Sequence, residues 1–86
     1  MSKYTQLPAL SGKQLIELLQ KDDWITKRRS THGVALVKHF GNHSKVTVIP
    51  DTTASLDDGT LAAILGVKQT GISKKGLLDL VNKFGL

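Results

Sequence analysis

The residues best suited to chemistry lie in one stretch of the sequence, from Trp24 to Pro50. The stretch holds all three histidines of the chain, and five lysine and arginine side chains, but no aspartate or glutamate. Its formal charge of +5 therefore equals that of the whole chain. Positive charge concentrated in this way indicates a surface that faces a polyanion. The histidines are His32, His39 and His43, and the cations are Lys27, Arg28, Arg29, Lys38 and Lys45.

These side-chain types suit the cleavage of an RNA phosphodiester bond without a metal ion. Neutral imidazole can accept the proton of a 2′-hydroxyl group, and a guanidinium group can hold two oxygens of one phosphate. We therefore interpret His32 as the candidate catalytic residue and Arg28 and Arg29 as RNA-binding residues. Lys27 and Lys38 are added as RNA-binding residues because they strengthen the positive field. The alternative is a basic but passive sheet face, on which His32 merely packs at the end of a strand.

The remaining histidines and the paired carboxylates are weaker candidates. His39 and His43 are expected at a strand end and in a turn, as solvated or phosphate-contacting residues. The Asp22-Asp23 and Asp57-Asp58 pairs each fall at a predicted helix end, where capping residues are common, and the helix dipole also favours Asp57-Asp58 at a helix N-terminus. No group of residues has metal-ligand spacing, so we expect no metal and no other cofactor.

The composition indicates one small domain. The chain has 86 residues, so residues 1–86 are expected to form a single domain around one core, with residues 1–8 as a short lead-in. Cysteine is absent, which excludes disulfides, a thiol nucleophile and cysteine-ligated zinc. No apolar run approaches the roughly 20 residues of a membrane span, and no signal-peptide pattern is apparent. We therefore expect a cytoplasmic protein without membrane contact.

Helices are predicted on both sides of a three-strand segment. Ser11 and Gln14 have the spacing of a capping box, and apolar residues then recur at helical spacing to about Lys21. Strands are predicted at 24–29, 33–40 and 45–49. They are followed by a helix with its body at 60–65 and by a last helix that Ser73 caps and Gly85 ends. The predicted fold class is α+β in the order α-β-β-β-α-α. Short links make the sheet antiparallel, with the helices on one face.

The pattern of the second strand leaves one question open. Val34 and Leu36 would face one side of the sheet, and Ala35 and Val37 the other. Both pairs are apolar, so either side could be the one that the helices cover.

A family resemblance is carried by five segments in a fixed order. They are SGKQLIELL from Ser11, Trp24, RRSTHG from Arg28, VTVIP from Val46 and DGTLAAIL from Asp58. Together they resemble the HicA family over roughly residues 11 to 80. The element order also resembles that of the double-stranded-RNA-binding domain. The chain differs from many HicA members in having Ser30-Thr31 before the histidine and Asp51 after Pro50.

The resemblance implies a function as well as a fold. HicA proteins are toxins of type II toxin–antitoxin systems, and they cleave mRNA without a bound metal. The family's catalytic histidine corresponds to His32, and a HicB-type antitoxin protein is the implied partner. Two other hypotheses remain: a non-catalytic double-stranded-RNA-binding module, and a structural protein whose basic face docks an acidic partner.

Overall fold

The computed structural model describes residues 4–31 and 33–85, and the α+β class and element order predicted from the sequence are confirmed. The elements are α1 (Gly12–Lys21), β1 (Ile25–Ser30), β2 (Gly33–His39), β3 (Ser44–Ile49), α2 (Asp58–Leu65) and α3 (Ser73–Phe84). The three strands form one antiparallel sheet in the order β1-β2-β3. The N-cap of α3 is Ile72, so the prediction that Ser73 caps this helix is wrong.

Helix α1 begins with the predicted capping box. The Ser11 hydroxyl accepts a hydrogen bond from the Gln14 amide at 3.1 Å, and the Gln14 side chain accepts one from the Ser11 amide at 3.0 Å. These bonds satisfy amides that the first helical turn leaves without partners. One face of α1 is buried, through Leu15, Ile16, Leu18 and Leu19.

The register of the sheet decides which residues of β2 face the core. Val34 and Leu36 are buried beneath the helices, while Ala35 and Val37 on the other face are half-buried. Core residues from all three helices, β2 and β3 form one cluster, which also includes Trp24. The opposite face of the sheet is open, and Ile25, Val46 and Val48 are exposed there.

Helix α1 lies very close to the chain that leaves β3. A Cβ atom added to Gly12 would lie 1.7 Å from the carbonyl oxygen of Pro50, so only glycine fits at this position. The Lys13 amide donates to the Thr52 carbonyl at 3.1 Å, and the Leu56 amide donates to the Leu10 carbonyl at 2.7 Å. The start of α1 and the end of β3 are therefore fixed side by side.

Across residues 4–31 and 33–85, none of the helices combines the length and apolar character needed to cross a membrane.

Candidate nucleic-acid interface

The residues that precede and follow the candidate catalytic residue in the sequence belong to the β1–β2 hairpin. Ser30 at the end of β1 pairs with Gly33 at the start of β2, and the Ser30 hydroxyl donates to the Gly33 carbonyl at 3.3 Å. His32 itself lies outside the described residues. Arg28 and Arg29 directly precede Ser30, so both lie at the end of β1 that leads to β2.

An irregularity in β1 determines which face of the sheet each of the two arginines occupies. The register shifts between Thr26 and Arg28, so Lys27 is an extra residue in the pairing. Arg28 then lies opposite Ala35, on the open face, whereas Arg29 lies opposite Val34, on the face that carries the helices. Such bulges redirect side chains within a strand. Lys27, Arg28 and Arg29 are all exposed.

Arg29 belongs to a small charged cluster with residues from two other elements. The Lys13 ammonium donates to Asp51 Oδ1 at 3.0 Å, and Arg29 Nη1 lies 3.7 Å from Asp51 Oδ2. The cluster forms because the end of β3, which leads to Asp51, lies at the same end of the sheet as the β1–β2 hairpin. The shallow cleft here has a volume of about 170 Å³ and is lined by Lys13, Ile16, Glu17, Gln20, Arg29 and Asp51.

Lys38 does not join this cluster. Its ammonium lies 3.2 Å from Asp22 Oδ2 and 5.5 Å from the centre of the Phe40 ring. The Lys38 and Asp22 side chains are only 23% and 26% exposed, on the helix-covered side of the sheet. Lys38 therefore has local partners near the far end of β2, away from Arg28 and Arg29.

His39 and His43 also lie at the far end of the sheet. His39 Nδ1 is 2.7 Å from the Ser44 hydroxyl oxygen, and the His43 ring stacks on Phe40 with centroids 5.5 Å apart. Six residue steps separate Gly33 from His39, which corresponds to about 20 Å along a strand. Neither histidine is close enough to the β1–β2 hairpin to act on the same phosphate.

The paired aspartates lie at the ends of helices α1 and α2. Asp22 is the C-cap of α1, and Asp57 is the N-cap of α2, accepting a hydrogen bond from the Thr60 amide at 2.8 Å. Hydrogen bonds from the Thr60 side chain and amide lower the pKa of the Asp57 carboxyl group. Within the two described ranges, no three histidine, aspartate or glutamate side chains form a group that could hold a metal ion.

Sequence reasoning did not assign a role to Asp51. It appeared only as a difference from the HicA pattern, and Lys13 is distant from it in the chain. The available signal was topological: in an antiparallel meander, the end of the third strand returns to the end of the first.

Comparisons with protein-family models, with curated proteins and with solved structures found no match.

Proposed function

We propose that this protein is a metal-independent endoribonuclease that cleaves mRNA as the toxin of a toxin–antitoxin pair, in the manner of the HicA family. The observation that carries the proposal is the meeting of Arg29 and Lys13 beside the β1–β2 hairpin, with Arg28 at the same end of the sheet on its open face. In the sequence, His32 lies between the two strands of that hairpin. In cleavage without a metal ion, a histidine can move the proton and cations can stabilise the charge that develops on the phosphate.

The proposed reaction is attack of a ribose 2′-oxygen on the adjacent phosphorus. The His32 imidazole accepts the 2′-hydroxyl proton, and Arg29 and Lys13 stabilise the charge that develops on the phosphate oxygens. The bond from phosphorus to the 5′-oxygen breaks, and that oxygen takes up a proton. The products are a 2′,3′-cyclic phosphate and a 5′-hydroxyl end.

The proposal includes a protein partner that restrains the nuclease. An uncontrolled RNA-cleaving enzyme would harm its own cell, and the family resemblance suggests an antitoxin of the HicB type. Acidic groups of that partner would pair with exposed Arg28, whose side chain makes no hydrogen bond or ion pair with another described residue. Pairing of this kind sets partner choice and the rate of association.

The test compares the wild type with His32→Ala and His43→Ala, expressed in a bacterial host and as purified proteins. We expect growth arrest and mRNA cleavage by the wild type and by His43→Ala, since His43 lies at the far end of the sheet. Loss of a general base should reduce the cleavage rate of His32→Ala by about 10²–10⁴-fold. Equal cleavage by all three proteins would overturn the His32 assignment.

A chelator added to the purified protein tests the metal independence. We expect unchanged cleavage in the presence of the chelator. The products should carry 2′,3′-cyclic phosphate ends, which are detected by end labelling because they resist phosphatase. A strict requirement for added Mg²⁺ would instead indicate a different reaction centred on carboxylates.

A second candidate function is a non-catalytic double-stranded-RNA-binding module. It is favoured by helix α1, whose exposed Lys13 and Gln20 line the cleft beside Arg29. In double-stranded-RNA-binding domains, contacts of this type read the shape and 2′-hydroxyls of the A-form duplex. Salt-sensitive binding of duplex RNA without cleavage, unaffected by His32→Ala, would favour this function over the nuclease.

A further inference from the structure

Asp51 lies between two exposed cations, Lys13 and Arg29. Its two carboxylate oxygens face different partners: Oδ1 meets the Lys13 ammonium at 3.0 Å, and Oδ2 faces Arg29 Nη1 at 3.7 Å. A phosphate group likewise offers several anionic oxygens to neighbouring cations. The carboxylate of Asp51 thus meets Lys13 and Arg29 through two separate oxygens, as a phosphate group is able to do.

The contacts that hold Asp51 in this position are weak. The side chains of Lys13 and Arg29 are 52% and 62% exposed, and ion pairs this exposed contribute little because solvent screens them. The Arg29 contact of 3.7 Å exceeds hydrogen-bond length, so the guanidinium donors are not used by Asp51. An incoming phosphate could form the two-pronged arginine contact that Asp51 does not make.

The backbone beneath the cluster is held in place. The Lys13 amide is bonded to the Thr52 carbonyl, and Gly12 lies against Pro50. Arg29 is held in β1 by its pairing with Val34. The two cations therefore start from fixed positions on α1 and β1, and displacement of Asp51 requires rotation of side chains only.

We propose that Lys13 and Arg29 form a binding subsite for a phosphate of the RNA backbone, and that Asp51 fills this subsite until RNA displaces it. The proposal rests on the proposed function only in taking RNA as the ligand. Asp51 then lowers the affinity of the free protein for polyanions. It also reduces the number of counterions that RNA binding releases, because Lys13 and Arg29 are already partly neutralised.

The experiment measures binding of a fluorescein-labelled single-stranded 2′-O-methyl oligoribonucleotide at several salt concentrations. This probe lacks the free 2′-hydroxyl group, so the protein can be used intact without cleavage of the probe. The variants are Asp51→Asn, Asp51→Ala and Asp79→Asn. Asp79 is the matched control because it is exposed on α3 and makes no ion pair with a described residue.

We expect both Asp51 variants to bind the probe about three- to tenfold more tightly than the wild type, the range that two exposed ion pairs allow. Their plots of log affinity against log salt should steepen by about 0.7–1.4, corresponding to one or two phosphate charges on a single strand. Asp79→Asn should show a smaller gain and an unchanged slope. Adding Arg29→Ala to Asp51→Asn should abolish the gain in affinity that Asp51→Asn alone produces.

Two results would overturn the subsite. If the probe binds but Asp51→Asn raises its affinity no more than Asp79→Asn does, Asp51 does not fill an RNA-binding position. If the gain survives in the double variant with Arg29→Ala, the phosphate is bound elsewhere. Binding without cleavage of ordinary RNA would reject the nuclease and leave the subsite standing. Absence of salt-dependent binding in every variant would reject both proposals.

Discussion

Arg28 and Arg29 are neighbours in the chain, yet they lie against opposite faces of the sheet: Arg28 is opposite half-buried Ala35, and Arg29 is opposite buried Val34. Of the two, only Arg29 reaches an acidic residue among the described residues, through Asp51. The two arginines are therefore suited to different partners. Arg29 and Lys13 are directed to one cleft, while Arg28 is available to a molecule that covers the open sheet face.

We predict that Arg29 contributes to RNA binding and that Lys38 does not. Arg29→Ala should flatten the slope of log affinity against log salt by about 0.7, the value for one phosphate contact on a single strand. Lys38→Ala should leave the slope unchanged because its ammonium is held by Asp22. The measurement is fluorescence anisotropy of a labelled 2′-O-methyl oligoribonucleotide across a range of salt concentrations.

The stability of the two variants provides the control for this prediction. Lys38→Ala should lower the free energy of unfolding by about 1 kcal/mol or less, because it removes a partly screened ion pair. Arg29→Ala should leave stability nearly unchanged, since its side chain is 62% exposed. A loss of slope in Lys38→Ala equal to that in Arg29→Ala would mean that RNA releases Lys38 from Asp22.

We predict that Gly12→Ala is strongly destabilising. The new methyl group would lie 1.7 Å from the Pro50 carbonyl oxygen, so α1 or the end of β3 must move. Overpacking of this kind costs about 1–3 kcal/mol. Urea denaturation followed by circular dichroism measures the change in the free energy of unfolding.

Gly59→Ala is the matched control for the glycine prediction. Gly59 lies in the first turn of α2, and a Cβ atom there would meet nothing within 4 Å. Alanine should therefore stabilise the protein by about 0.4–1 kcal/mol, because it reduces the conformational freedom of the unfolded chain. Equal effects of the two substitutions would show that the close approach at Gly12 is absent in solution.

The N-cap of α2 should make part of the stability depend on pH. The pKa of Asp57 is lowered from its ordinary value of 3.8 by hydrogen bonds from the Thr60 side chain and amide. A carboxyl group whose pKa is lower in the folded state stabilises the fold above the unfolded value. That contribution is lost as the pH falls through the lower folded value.

The measurement is the difference in unfolding midpoint between the wild type and Asp57→Asn. We expect the wild type to be more stable by a constant amount from pH 7 to pH 5, and the difference to shrink as the pH falls below about 4. Asp79→Asn removes the same charge from an exposed position on α3 and serves as control. A wild-type advantage that grows towards acid pH would contradict the role of the ionised cap.

Local patterns in the sequence were sufficient to predict the helices, the strands and their order. The capping box at Ser11 and Gln14 and the stripe of Leu15, Leu18 and Leu19 depend on residues within a few positions of one another. Interactions of this range are set by helical geometry before any long-range contact forms. The concentration of positive charge between Trp24 and Pro50 is likewise a property of the sequence alone.

Only the tertiary structure decided which side of the sheet is covered and which cations meet. Val34 and Leu36 face the core because the helices pack on that side. The sequence could not reveal this choice, because the alternating pair Ala35 and Val37 is apolar as well. The extra residue in β1 determines that Arg29 rather than Arg28 approaches Lys13. Lys38 is bound to Asp22, and Lys13 to Asp51, because antiparallel pairing and the packing of α1 bring together residues that are distant in the chain. Such contacts depend on register and packing, which no local pattern of residue types encodes.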